Sequence, residues 1–214
     1  MAKSSGILYN ALSEGYWDIT GVFHRGETRT YRFFEQMTPE MTQKEAIKEY
    51  GELIPSASLV WEIVDRVYDL RGENPKMSEQ FRASLQNNLR RWPLTSSLAG
   101  YNPEGEVDEV IHNYQTTHAE YSLRGNLVGI DGWIKDIPDK LALKLLLETG
   151  DVDKINKVFQ WINGTDTRIW RENSKPSQRI ERVVGFSAGG YGLLLDADRG
   201  PALGHPAFRV LRSE

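Results

Sequence analysis

The sequence predicts an α+β fold, and three observations predict it. Apolar residues recur at helical spacing through roughly 40–92 and again after Pro138. β-branched and aromatic residues crowd a stretch near the start. From about residue 165 onward the chain breaks into short apolar runs divided by Gly-, Pro- and Ser-containing punctuation. Helices therefore occupy much of the first three-quarters and tight strands the end, so the two element types are segregated rather than alternating.

Residues 19–34 (ITGVFHRGETRTYRFF) predict a hairpin turning at Arg25-Gly26, where glycine tolerates positive φ. Thr38-Pro39 is the expected opening of the first helix, since Thr caps well and Pro fits the first turn. Ala46, Ile47, Tyr50, Leu53 and Ile54 follow at helical spacing, and Pro55 stops the run. A second helix is expected over about 58–70, with Val60, Ile63, Val64 and Val67 on one stripe. A third is expected from Ser78, carrying Phe81, Leu85 and Leu89. The middle, about 94–134, is rich in Gly, Asn and Thr and predicts short strands and loops. VDEVIHNY (107–114) and AEYSLRGNLVGI (119–130) are its best strands. After Pro138, Leu141, Leu143 and Leu145 to Leu147 are apolar on almost all sides, which predicts a deeply buried helix ended by Gly150. Asp151 caps the next helix, Ile155, Val158, Phe159 and Ile162 give it an inner face, and Asn163-Gly164 stops it. Strands are then expected at 168–170, 178–187, 191–197 and 207–212. The expected organisation is a single domain over 1–214, with a C-terminal β unit at 165–214 that presents a binding face.

Composition excludes several function classes. The 214 residues are 39% apolar and 26% charged, with six Trp and seven Phe, a globular composition able to fill a core. The formal charge of −4 offers no global positive field for nucleic acid. Arg168, Arg171, Arg179, Arg182, Arg199, Arg209 and Arg212 make the C-terminal end locally basic, and they are expected to be solvated heads on strand edges. There is no cysteine, so disulfides, thiolate nucleophiles, zinc ribbons and iron–sulfur ligation are excluded. Residues 1–6 lack a basic and then apolar pattern, and no apolar run is long enough to span a bilayer; the expected place of synthesis is the cytoplasm, without a signal peptide.

Gly185-Phe186-Ser187-Ala188-Gly189 matches the G-x-S-x-G nucleophile elbow and follows an apolar stretch, as the elbow should. A hydrolase of that kind then needs an acid and a histidine on separate loops beyond the elbow. Only Asp196, Asp198 and His205 follow, close together, and Gly-Tyr-Gly-Leu stands where the elbow's helix would begin. The expected structure here is a Gly-rich turn between strands, and a serine hydrolase using Ser187 is the alternative function. His112 and His118, with Glu120 nearby, do not specify a metal site, because three convergent ligands are needed and the spacing fixes none. No metal and no cofactor is implied. Asp108, Glu109, Asp131, Asp136 and Asp139 offer no usable acid–base pairing.

Arg182-Val183, Gly185-Phe186-Ser187, Gly190-Tyr191-Gly192-Leu193, Asp198-Arg199, Pro201, Phe208-Arg209-Val210 and Arg212 form an ordered series. The series resembles the end of the C-type-lectin-like fold found in formylglycine-generating enzymes and in the variable proteins of diversity-generating retroelements. Those chains tend to close with an Arg-Val, a Gly-rich strand, a strand ending in Arg, a Pro-containing loop and a terminal Gly-Phe-Arg-Val; here Ala207 replaces that last Gly. The likeness covers roughly 35 residues, in short motifs. The oxidase branch of this resemblance relies on a cysteine pair that this chain lacks, so the resemblance implies the binding branch and no catalytic residues. It implies a C-type-lectin-like domain with antiparallel strands at the C-terminal end, a viral or phage setting compatible with a place on a virion, and a protein or surface ligand. Carried onto this sequence, the ligand contacts fall on Ser187, Tyr191, Leu193, Leu195, Asp196, Asp198, Leu203 and His205. In YGLLLDADR, Tyr191, Leu193, Leu195 and Ala197 share one face of a strand and Leu194, Asp196 and Asp198 the other. An exposed odd face would be an apolar recognition patch, and a buried one would be core.

Overall fold

The computed structural model describes residues 8–11, 14–138, 140–189 and 192–213. Near the start the expected hairpin forms. Strands β1 (Leu8–Ala11), β2 (Tyr16–His24) and β3 (Glu27–Phe34) make an antiparallel meander. Its tip is Arg25-Gly26, both at positive φ (53° and 83°), the backbone that lets a two-residue turn follow the strand twist. Helices α1 (Gln43–Tyr50), α2 (Ala57–Asp69) and α3 (Pro75–Leu89) follow. The first begins at Thr42 rather than at Thr38-Pro39. Thr42 and Glu45 form a reciprocal capping box, while the Thr38 hydroxyl is taken by the backbone N–H of Ala207 at 2.8 Å. The third starts at Pro75, ahead of Ser78, because Pro suits the first helical position. Val60, Ile63, Val64 and Val67 of α2 and Phe81, Leu85 and Leu89 of α3 are buried, as their spacing predicts.

Strand β4 (Leu94–Tyr101) is buried at every residue, so its sequence LTSSLAGY shows no alternation. Its hydroxyls find partners inside: Thr95 donates to the Val184 carbonyl at 2.7 Å, and Ser97 accepts from the Ala57 N–H at 2.9 Å. Strands β5 (Asp108–His112), β6 (Tyr121–Gly125) and β7 (Gly132–Trp133) occupy the middle, then helices α4 (Leu141–Leu147) and α5 (Val152–Asn163). Helix α4 ends earlier than Gly150, at Glu148, which takes the left-handed cap position. Asp151 caps α5, and Gly164 closes it in the left-handed conformation.

Strands β8 (Thr167–Trp170), β9 (Ile180–Gly189), β10 (Gly192–Arg199) and β11 (Val210–Ser213) complete the chain. Among the described residues there are thus five α-helices and two sheets, an α+β protein. One sheet runs β1-β2-β3-β11 and the other β6-β5-β4-β9-β10-β8-β7. The C-terminal strands differ from expectation in two ways. Strand β10 pairs antiparallel with β9 but parallel with β8, and β11 leaves that sheet to pair with β3. The cause lies in residues 200–209, which carry the chain across: His205 bridges to Met41, Ala207 to Leu94, and Phe208 packs 5.5 Å from Phe33 and 6.4 Å from Phe186. One apolar cluster joins the two sheets to α2–α5. No helix among the described residues is long and apolar enough to cross a membrane.

Candidate functional site

The odd face of β10 is core. Leu193, Leu195 and Ala197 are fully buried with Phe186 and Ala188 of β9, so no ligand can reach the two leucines without opening the fold. The even face looks the other way. Register places Trp133, Arg168, Leu194 and Ser187 in one row across β7, β8, β10 and β9, with Trp170, Asp196 and Gly185 in the next. At one end this face is closed by Ala46, Ile54, Leu94, Val183 and Ala207. At the other it opens into a small pocket walled by Trp92, Trp170, Arg168 and Leu194 and floored by Ser187 and Gly189.

Trp92 dominates this pocket. The residue is 42% exposed, yet its backbone sits at φ +62°, a conformation that costs a bulky residue energy. Three groups hold it there. Arg199 donates from Nη1 to the Trp92 carbonyl at 2.8 Å and places its guanidinium carbon 5.4 Å from the ring centroid. Arg199 is in turn fixed by Asp196, with Nη2 to Oδ2 at 2.8 Å and side chains only 3% and 6% exposed. His205 stacks on the indole at 6.1 Å with planes 13° apart. Burial, and then the nearby Arg199 charge, push the His205 pKa below the usual imidazole value, which favours the neutral ring. Close approach fixes Gly185 beneath: a Cβ there would lie 2.8 Å from the Pro93 carbonyl oxygen and 3.2 Å from Arg199. In the pocket wall, the buried Nε of Arg168 has no hydrogen-bond partner among the described residues.

The residues singled out in the sequence divide accordingly. Ser187 lines the pocket, Asp196 belongs to the brace behind Trp92, and His205 lies on its ring. Asp198 is outward-facing, and burial, Glu172 and Asp196 raise its carboxyl pKa. Leu203 is exposed on the loop after β10. Leu193 and Leu195 are in the core, and Tyr191 lies outside the described residues. The GFSAG segment is neither the expected turn nor an elbow; it is the last half of β9, its ladder to β10 unbroken from Gly185 to Gly189. Among the described residues no hydrogen bond joins Ser187 to His205, whose ring is committed to Trp92. Two of the arginines expected at solvent are buried, Arg171 and Arg199, where backbone carbonyls and Asp196 accept hydrogen bonds from their guanidiniums. His112 is buried too, bonded to Ser97 at 2.7 Å and to the Leu145 carbonyl at 2.9 Å. No group of three or more His, Asp or Glu side chains among the described residues could hold a metal ion.

Sequence reasoning missed Trp92 and the brace role of Arg199, and it placed Trp170 only in a half-buried strand. A Trp before Pro93, where the residue's backbone is already restricted, is the one signal that could have drawn attention to the first. In comparisons with known proteins, the chain matches no family model, no curated protein and no solved structure.

Proposed function

We propose that this chain is a non-enzymatic recognition protein that captures an aromatic or sugar ring, presented by a protein or cell surface, against Trp92 and Trp170. The observation that carries the reading is the strained, exposed indole of Trp92 braced from behind by a buried ion pair. Strain of this kind persists only where surrounding contacts over-determine it, and it clusters at sites that bind. A ring held rigid before the ligand arrives loses little freedom on binding, so its stacking energy goes into affinity. Ser187 at the pocket's floor and Arg168 in its wall are the polar side chains that line it. The resemblance of the closing segments to C-type-lectin-like variable proteins supports the same reading, since binding there comes from side chains on terminal strands over a rigid scaffold.

An array of oligosaccharides and of peptides rich in Tyr and Trp tests this, probed with wild type, Trp92→Ala and Gly189→Leu. A Cβ at Gly189 meets nothing within 4 Å, so the backbone accepts a side chain there, and a leucine would occupy the pocket. Wild type is expected to retain a subset of spots, and both variants to lose them by roughly 30-fold, the ~2 kcal/mol of an anchoring aromatic. Spots that both variants retain, or an array with none, would defeat the proposal. The encoding locus gives a separate check: a near-repeat of the sequence for the last strands beside a reverse transcriptase is expected of a retroelement variable protein.

A further inference from the structure

A second, chemically opposite site lies where the two sheets meet. A cleft of about 420 Å³ opens between the β2–β3 hairpin, β11 and the loop joining β5 to β6. His24, Arg25 and Arg29 face it from the hairpin, Arg212 from β11 and His118 from the loop. The chain carries a net charge of −4, yet here three guanidiniums and two imidazoles gather against two carboxylates, Glu27 and Glu52. Arg29 and Glu27 pair with each other, Nε donating at 2.6 Å, which leaves Arg25, Arg212 and the two imidazoles facing Glu52.

The cationic groups are also positioned. The guanidinium carbon of Arg25 lies over the Tyr121 ring, 3.2 Å from its centroid. Tyr121 is held in turn by a hydrogen bond to the Glu148 carboxylate, by Ser58 at 3.1 Å, and by stacking on His112 at 4.9 Å. His24 Nε2 stands 3.3 Å from Ser58 Oγ and 3.7 Å from Glu148 Oε1, and His118 Nε2 stands 3.3 Å from the Glu52 carbonyl. Five non-glycine residues among those described take positive φ, and four of them, Arg25, Asn113, Gln115 and Glu148, belong to this junction. Arg25 there belongs to the hairpin turn and Glu148 caps α4, so local turns set the walls of the junction.

We infer that this cleft binds a phosphate group, either as the free anion or as a phosphomonoester. A tetrahedral dianion matches the fork of an arginine fixed on an aromatic face and accepts from guanidinium and imidazole N–H groups converging from three elements. The cleft's size admits a small phosphorylated metabolite. The inference is independent of the pocket at Trp92.

Calorimetric titration with inorganic phosphate and with ribose 5-phosphate, at constant ionic strength in chloride, tests it. Wild type is expected to bind at least one of them saturably in the submillimolar range. Arg25→Gln and Arg212→Gln, made separately, are each expected to weaken binding about tenfold or more, with ligand-free melting temperatures showing that each is folded. Arg124→Gln, an exposed change on β6, is the control and is expected to leave affinity unchanged. Tighter binding of ribose 5-phosphate assigns the site to a phosphomonoester; equal binding assigns it to the free anion. Millimolar or non-saturable binding of both anions, or affinities that the two cleft variants leave intact, would overturn the inference.

Discussion

Around Trp92 the aromatic ring is exposed and the charges are buried, whereas at the sheet junction the aromatic ring of Tyr121 lies beneath and the charges line the cleft. In the first region an ion pair closed off from water spends its charge on holding an indole still. In the second a Tyr sandwiched between His112 and Arg25 holds a cation toward open space. The difference teaches which polar groups are structural here. A buried guanidinium with two partners is a scaffold, and a guanidinium on a ring at a cleft wall is available for binding.

Removing one member of the buried pair should give the largest effect. Asp196→Asn strands the Arg199 charge almost wholly out of water and is expected to cost about 3–5 kcal/mol in urea denaturation. The equivalent change at the junction, Glu27→Gln, touches a pair whose side chains are 58% and 30% exposed, and it is expected to cost less than about 1 kcal/mol. Comparable costs at the two sites would erase the distinction between brace and binding surface.

A smaller effect, of pH, separates the interior below the junction from its surface. Burial drives the His112 pKa down to about 4, so folding excludes its proton and stability drains away as pH falls from 6.5 toward 4. Glu62 of α2 works in the opposite sense. Burial, aided by Asp65 and opposed by Lys154, lifts its carboxyl to about 7, so the folded state takes up a proton and gains stability as pH falls from 7 to 4.5. The two act in opposite directions in wild type. Glu62→Gln removes the gain and should expose a loss of roughly 3 kcal/mol between pH 6.5 and 4, read from urea midpoints at successive pH values. A Glu62→Gln variant whose stability does not fall between pH 6.5 and 4 would mean that His112 accepts its proton inside the fold.

What the sequence made legible follows physical locality. The hairpin at Arg25-Gly26 and the inner faces of α2, α3 and α5 are set by neighbours within a few residues, and each was readable. Strand β4 was not, because alternation disappears when both faces are covered and its Thr-Ser-Ser run imitates a loop. The start of α1 was misplaced because the Thr38 hydroxyl serves Ala207, a partner 169 positions away, while the local Thr42–Glu45 capping box is the true signal. The site behaved likewise. Ser187, Asp196 and His205 were singled out from one short segment, but the residue they surround comes from the other side of the fold: Trp92 meets Arg199 across 107 positions. The cleft draws on the hairpin, the β5–β6 loop and β11, and no window of sequence contains it.

The smallest expected effect is the most discriminating. If Trp92 is held in a left-handed conformation for the sake of its ring, the backbone and the ring can be separated by two substitutions. Trp92→Ala removes the stack on His205 and the contact with Arg199 but keeps a Cβ in the unfavourable region. Trp92→Gly removes the same contacts and the conformational penalty with them. The glycine variant is therefore expected to be more stable than the alanine variant by about 1 kcal/mol, the reverse of their order at an ordinary extended position. Neither should bind the array ligands of the wild-type chain. A glycine variant less stable than the alanine variant would show that the backbone at 92 is unstrained, and it would leave the exposed indole without the physical mark that singles it out as a site.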